Sequence, residues 1–280
     1  MIIEAIVEIK SELEKERNSK RKIAFVPTMG ALHEGHLALI KKAKELADIV
    51  VVSIFVNKAQ FNNSQDYEKY PRQTQLDLKK LEPFNVDYIF LPSEEEMKKV
   101  DYIEKIIPDN LKNCLCGSSR IGHFEGMVMI VSKFFDIINP HIAIFGQKDF
   151  QQLAIIKNLV KESNLNIEIF PYKIVREKSK LAMSSRNQRL SDDGKIKAAN
   201  IYRILEEIKN DIANGEKNFD LLCQKKKKEF LDLGFDLVDY LEIREEESLK
   251  LITNYEDQKK LRIFAAVYLE QVRLIDNLVV

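Results

Sequence analysis

The sequence predicts an α/β protein: a parallel sheet with helices on both faces, followed by a smaller α+β C-terminal domain. Three observations carry this prediction. Short apolar, β-branched runs alternate with amphipathic stretches through the first 175 residues, so that strand, helix and strand repeat. The run at 49–56 is rich in β-branched residues and apolar on both faces, as a buried parallel strand should be. After Arg176 the texture changes to charged amphipathic helices and then strands. That change divides the chain into domains at 1–175 and 176–280.

Each element follows from its pattern. Ile2, Ile6, Ile9 and Leu13 keep a helical period, with Glu4 and Glu8 among them, which is not how a signal peptide begins. Residues 23–26 form a strand ended by Pro27, and 31–46 a helix. Strands follow at 49–56 and 86–91, then a helix at 127–138, a strand at 142–146, a helix at 150–163 and a strand at 167–175. In the second domain, 196–212 and 219–231 read as helices, and 237–243 and 261–270 as strands. No internal repeat is visible. Parallel sheets bind ligands at the carboxyl ends of their strands. The chemistry is therefore expected just after Val26, Val56, Phe145 and Val175.

Composition narrows the function classes. Apolar residues at 45% and charged ones at 31% describe a globular chain rather than a disordered one, and 280 residues can bury a substantial core. Nine glycines and seven prolines are too few for a collagen-like or low-complexity chain. Lys plus Arg and Asp plus Glu balance at 44 each, so the chain has no general attraction for nucleic acid or an anionic membrane. No apolar stretch approaches the ~20 residues that a bilayer span needs. Cys114, Cys116 and Cys223 cannot build a disulfide framework, and the Cys114–Cys116 pair lacks further zinc ligands. Free thiols fit a reducing cytoplasm, the expected location.

Three clusters carry chemistry. The first is Pro27-Thr28-Met29-Gly30-Ala31-Leu32-His33-Glu34-Gly35-His36, at the end of a strand and the start of a helix. On a helix, residues three apart such as His33 and His36 project from one face. Free amides at the helix start would attract phosphate oxygens, and Gly35 leaves room for a flat ring against the backbone. Two imidazoles beside them suit a pentacovalent α-phosphorus. A His pair capping the helix or binding a metal is the alternative; the preceding strand, Gly35 and the Thr-Met-Gly turn favour a nucleotide.

The second cluster is Phe145-Gly146-Gln147-Lys148-Asp149-Phe150-Gln151-Gln152, at another strand end. Lys148 is a compact charge suited to phosphate, and Gln152 follows four residues later on the same helix face. A solvated strand-to-helix turn explains the segment equally well. The third cluster, Met183-Ser184-Ser185-Arg186-Asn187, gathers hydroxyls and a guanidinium that can donate to a polyphosphate. Alone, it would read as a helix cap with a surface arginine.

Together these clusters resemble a known family. His33-Glu34-Gly35-His36 is similar to the His-x-Gly-His signature of a nucleotidyltransferase-like superfamily with a Rossmann-like sheet. The closer resemblance is to the pantothenate synthetase (pantoate–β-alanine ligase) family. Residues 27–36 read as its opening motif. Ser53-Ile54-Phe55-Val56-Asn57, Gln60-Phe61, Tyr70-Pro71-Arg72, Gly122-His123-Phe124, residues 145–152, Arg176-Glu177, residues 181–187 and Arg273-Leu274-Ile275-Asp276-Asn277 follow in family order.

The resemblance implies an ATP-dependent ligase. Pantoate is joined to β-alanine using ATP with Mg²⁺ as co-substrate, through an enzyme-bound pantoyl adenylate, with pyrophosphate and then AMP released. By motif, ATP falls to Met29, Gly30, Ala31, Leu32, His33, Glu34, Gly35, His36, Gly146, Gln147, Lys148, Asp149, Val175, Met183, Ser184, Ser185 and Arg186. His36, as proton donor, His33, Lys148 and Arg186 are the catalytic candidates. Gln60 and Gln152 fall to pantoate, Gln60 also to β-alanine, and no residue to a resident metal; Asp77 is a lone acid that could approach Mg²⁺. A homodimer with a C-terminal lid is implied as well. Paired glutamines suit pantoate, because a primary amide both donates to and accepts from a hydroxyl. The chain departs from the family pattern at Lys58 and Ile121, each in place of proline, and at Ser179-Lys180, in place of Asp-Gly. Two alternatives stand beside this reading: a nucleotidyltransferase that leaves the nucleotide on its product, and a silent nucleotide-binding module.

Overall fold

The computed structural model describes residues 1–62, 64–255 and 259–280. Among these, six parallel strands form the main sheet: β1 (Ile2–Ile3), β2 (Ile23–Thr28), β3 (Ile49–Ile54), β4 (Tyr88–Phe90), β5 (Ile142–Gly146) and β6 (Glu168–Tyr172). Their order is β1-β4-β3-β2-β5-β6, so the sheet grows one way from β2 through β3 and the other way through β5. Sheets of this kind bind ligands where that direction reverses, outside the carboxyl ends of the two central strands. Those strands are β2 and β5. The parallel α/β sheet with helices and a smaller second sheet is the predicted fold class.

The boundaries have local causes. Val50, Val51 and Val52 are buried on both faces of β3, which explains its unbroken apolar run. Strand β2 runs on through Pro27, which pairs with Ser53 of β3 and lies beyond the last β2–β5 pair, so the missing amide breaks no ladder there. The helix after β2 spans Glu34–Leu46 rather than starting at 31. Gly30 and Ala31 have φ of 77° and 50°, a left-handed turn that no helix can include. The helix predicted at 127–138 begins earlier, at His123, and is buried on nearly every side.

The chain forms two compact units. The first comprises Met1–Ile107, Arg120–Gln147 and Gln152–Lys173; the second comprises Pro108–Ser119, Lys148–Gln151 and Ile174–Val280. Two short segments of the second unit are tied together by Gln151, whose amide donates to Leu111 O and Cys114 O, both at 2.8 Å, and accepts from Cys116 N at 3.0 Å. The sheet of the second unit is antiparallel: β7 (Leu237–Glu245), β8 (Leu261–Leu269) and β9 (Val272–Val279). The helices Asn200–Ala213 and Phe219–Asp232 cover it, with Ile204, Ile208, Leu222 and Phe230 in one core with Ile263, Ala265 and Val267.

Strand β9 was not legible as a strand. It follows β8 through the two-residue turn Glu270-Gln271, with φ of 52° and 61° and Leu269 paired to Val272. A two-residue turn with both φ positive is ordinarily written Asn-Gly or Asp-Gly, and neither is present here. No helix among the described residues is long and apolar enough to cross a membrane.

Candidate active site

The chain leaving β2 is held by a set of side-chain-to-backbone bonds. Thr28 Oγ1 donates to Ser53 O at 2.7 Å and accepts from Gly30 N at 3.2 Å. Asp77, 1% exposed, places one carboxylate oxygen on Ala31 N and the other on Leu32 N, each at 2.8 Å. Leu32 O in turn accepts from Lys80 Nζ at 2.5 Å. A Cβ on Gly30 would lie 3.0 Å from Asp77 Oδ2 and 3.1 Å from Ile54, so this loop closes tightly on the acid. Asp77 thus works here on backbone amides, a role its isolated position in the sequence did not show.

His33 and His36 are placed differently from the expected helix face. His33 is the N-cap, with extended backbone, and its Nδ1 accepts from Gly35 N at 3.1 Å. His36 is three residues into the helix, and its Nδ1 accepts from His33 N at 3.3 Å. The pair forms a reciprocal capping box, in which each ring satisfies an amide near the helix start. The rings lie together, with centroids 4.1 Å apart. The amides expected to be open to phosphate are engaged: those of Gly30, Ala31, Leu32, His33 and Gly35 all have acceptors within the loop or on Asp77. One consequence concerns the imidazoles themselves. A neutral imidazole whose Nδ1 accepts carries its proton on Nε2. The loop therefore sets both rings as Nε2–H donors.

Gln60 is buried in the first unit, at the end of a short turn, Lys58–Gln60, that Asn57 caps through Ala59 N. Asn57 Nδ2 bridges Gly126 O at 2.9 Å and Gln60 Oε1 at 3.2 Å, and Gln60 Nε2 contacts the sulfur of Met29. The structure therefore brings Gln60 against the first cluster. Its carbonyl accepts from His123 Nδ1 at 2.6 Å and from Arg120 at 3.4 Å. With Nδ1 donating, His123 Nε2 accepts from Arg120, 2.9 Å away. Gly126 makes this approach possible, because a Cβ there would collide with Ala59 O and sit 2.7 Å from Gln60 N. Both obstructing atoms are backbone, so Gly126→Ala must displace the turn. The substitution is expected to cost roughly 1–3 kcal/mol of stability. A thermal melt checks this, and an unchanged melting temperature would mean that the turn takes up the methyl group without being displaced. Gly126, His123 and Arg120 escaped the sequence reading as supports because they meet the Asn57–Gln60 turn across 60 residues or more, Gly126 also through its missing side chain.

Strand β5 ends at Gly146, with Gln147 in the first unit and Lys148 in the second. Lys148 is half-buried, 3.8 Å from Asp149, and its carbonyl accepts from Asn277 Nδ2 at 2.9 Å. Gln152 is half-buried in the first unit. Val175 and Met183 pair, Met183 N donating to Val175 O at 3.0 Å, across a hairpin whose turn is closed by Lys180 N to Glu177 O at 2.9 Å. Lys180 carries a φ of 75°, the left-handed conformation that glycine adopts most readily. Beyond Met183, the Ser184 hydroxyl caps the turn Ser185–Arg189 through Arg186 N. Asn187 Nδ2 fastens that turn to Glu177 Oε1 at 2.7 Å and to Ala182 O at 3.1 Å.

The three cysteines are free. Burial pushes the Cys223 thiol up to about 12 and also raises Cys114, so neither is a ready nucleophile near neutral pH. Among the described residues, no group of three or more His, Cys, Asp or Glu side chains is arranged to hold a metal ion.

Comparison with known proteins joins these observations to a family. The family model for pantoate-beta-alanine ligase matches residues 1–279. A pantothenate synthetase from Caldicellulosiruptor bescii is 42% identical over 280 residues, covering 100% of this chain and 99% of its own. One from Cytophaga hutchinsonii is 45% identical over 279 residues, covering 99% and 98%. The crystal structure of pantothenate synthetase from Thermus thermophilus superposes with a TM-score of 0.90 at 32% identity, over 99% of this chain and 98% of that one. A pantoate-beta-alanine ligase from Francisella tularensis, solved with a β,γ ATP ligand and β-alanine, gives 0.82 at 37% identity, over 100% and 97%. These matches run the full length of the chain, and the chain belongs to the pantoate–β-alanine ligase family.

Proposed function

We propose that this protein condenses pantoate with β-alanine in two steps, using MgATP as co-substrate. In the first step a pantoate carboxylate oxygen attacks the α-phosphorus, the bond from that phosphorus to the bridging oxygen breaks, and pyrophosphate leaves. In the second the neutral amine of β-alanine attacks the acyl carbon, the C–N bond forms, the bond from that carbon to the bridging oxygen breaks, AMP departs with the former carboxylate oxygen, and the nitrogen releases a proton. Carboxylates are poor electrophiles, and adenylation supplies the leaving group that amide formation needs. The observation that carries the reading is the loop from Thr28 to His36, which sits at the carboxyl end of β2 and presents two imidazoles as Nε2–H donors. Such donors suit charge developing on α-phosphate oxygens, where alignment and electrostatic stabilisation do most of the work.

The assignments follow the sequence motifs. Residues 29–36, with Gly146, Gln147, Lys148, Asp149, Val175 and the segment from Met183 to Arg186, address ATP. Gln60 and Gln152 bind pantoate, and Gln60 also approaches β-alanine. Mg²⁺ arrives with the nucleotide. The test is incubation with ATP, pantoate and β-alanine, each omitted in turn, while AMP and pyrophosphate are followed. AMP release that depends on β-alanine supports the ligase. A stable adenylylated product would mark a nucleotidyltransferase, and no turnover would mark a silent binding module.

Gln152→Ala should raise the pantoate KM by roughly one to two decades while the ATP KM stays near its original value, because a hydroxyl left unpaired costs about 1–3 kcal/mol. Equal changes in both would move Gln152 from the acid site to general scaffolding. A cytoplasmic homodimer completes the proposal. Ile103 and Ile106, 80% and 91% exposed, offer apolar surface for a second copy. Sedimentation at twice the chain mass of 32.6 kDa is the expected result, and a species at the single mass would reject the dimer.

A further inference from the structure

The run Arg273-Leu274-Ile275-Asp276-Asn277 on β9 has no part in the mechanism above, yet Asn277 bonds to Lys148 and Asp276 bonds to Arg176, at the base of the hairpin that leads to Ser184–Arg186. Asp276 and Asn277 are adjacent on a strand, so their side chains leave on opposite faces. They engage different partners, all within the second unit.

Asp276 meets Arg176 in a two-pronged pair, with NH1 to Oδ2 at 2.6 Å and NH2 to Oδ1 at 3.0 Å. The Asp276 side chain is 2% exposed, and Oδ1 also accepts from Asn277 N at 2.8 Å. Arg176 lies over the Tyr202 ring at 3.9 Å and donates to Lys180 O at 3.1 Å. It stands at the base of the hairpin, bridged to Ala182, whose outgoing strand continues into Met183, Ser184, Ser185 and Arg186. A planar guanidinium gripped by a carboxylate and stacked on a ring has one orientation, which fixes the hairpin's exit.

Asn277, 2% exposed, turns its amide the other way. Its Oδ1 accepts from Arg262 NH1 at 2.5 Å, which leaves Nδ2 to donate to Lys148 O at 2.9 Å. Arg262 is itself held by Glu246 and lies 4.1 Å over the ring of Phe150, two residues after Lys148. The backbone of the Lys148 turn is thereby pinned to β9 across 129 positions of sequence.

Stability alone gives little reason for this arrangement. A buried ion pair usually contributes no more than well-packed apolar residues of similar volume, and burial here pushes the Asp276 carboxyl up against the pull of Arg176. What the polar pair supplies is direction. We propose that Asp276 and Asn277 are positioning residues that fix the Ser184–Arg186 segment and Lys148 relative to each other, in register for the polyphosphate of ATP. The inference rests on the assignment of those two clusters to ATP.

The test uses the full chain and reads pantoate-dependent exchange of pyrophosphate into ATP, the KM for ATP and for pantoate, and the melting temperature. Asn277→Asp keeps an acceptor for Arg262 and loses the donor to Lys148 O; Asp276→Asn removes one partner of the ion pair. Each should raise the ATP KM and lower exchange by about tenfold, with the pantoate KM unchanged. In a Lys148→Ala background, Asn277→Asp should add no further loss, because it acts through Lys148. Should Asp276→Asn fail to fold, Asn277→Asp carries the test by itself. Losses shared equally by both substrates, or a full additional loss in the Lys148→Ala background, would show a merely structural role and overturn the proposal. Wild-type exchange by Lys148→Ala would remove Lys148 from the ATP site, and the clamp would fall with it. Normal exchange by Asn277→Asp beside impaired Lys148→Ala would overturn the clamp alone.

Discussion

His36→Ala is expected to lower pantoate-dependent pyrophosphate exchange by about 10²–10³ while the protein stays folded, the usual effect of losing one well-placed donor to a developing charge. The capping geometry makes the prediction sharper. His36 accepts from His33 N through Nδ1, so the substitution also removes a cap, at a cost of about 1 kcal/mol. The two roles use different ring atoms and can be separated. His36→Asn has an oxygen near the Nδ1 position and should recover much of the melting temperature with little exchange. His36→Gln reaches the Nε2 position and should recover more exchange than His36→Asn. If His36→Ala exchanged pyrophosphate at nearly the normal rate, the residue would have no place in the chemistry.

Asp77→Ala is expected to be the most disruptive single change in the first unit. It strands the buried amides of Ala31 and Leu32, each losing an acceptor at 2.8 Å. An unsatisfied buried donor costs about 1–3 kcal/mol, so the melting temperature should fall by several degrees. The loop that sets both imidazoles would lose its anchor, and exchange should drop about 10²-fold. Asp77→Asn keeps one acceptor but turns an NH₂ toward the second amide, so it should fall between Asp77→Ala and the unsubstituted protein in stability. A melt unchanged in Asp77→Ala would mean that the loop holds itself.

Much of the architecture was legible because it rests on local pattern. Short apolar runs rich in β-branched residues at β2, β3 and β5 announce buried parallel strands, and the amphipathic period between them announces helices. Boundaries were less legible where the backbone does something rare for its residue type. Ala31 at φ 50° delays the helix start, and Glu270-Gln271 makes a tight hairpin without glycine, which hid β9. The polar residues at the strand ends stood out as motifs, but what they do to one another did not. That His33 and His36 cap each other follows from ring orientation, not spacing. Asp77, Gly126 and Asn277 matter through contacts spanning 46, 67 and 129 positions, and no window on the sequence joins them.

The claim on which the rest depends is that an adenylate forms before the amine takes part. The Cys thiols at 114 and 223 are held protonated, and the first cluster is built of imidazole donors rather than a nucleophile paired with a base. The direct measurement is the incorporation of labelled pyrophosphate into ATP, with pantoate present and β-alanine withheld. Incorporation should require pantoate and proceed without β-alanine. Incorporation that appeared only when β-alanine was added would place the amine in the first chemical step and contradict the two-step route.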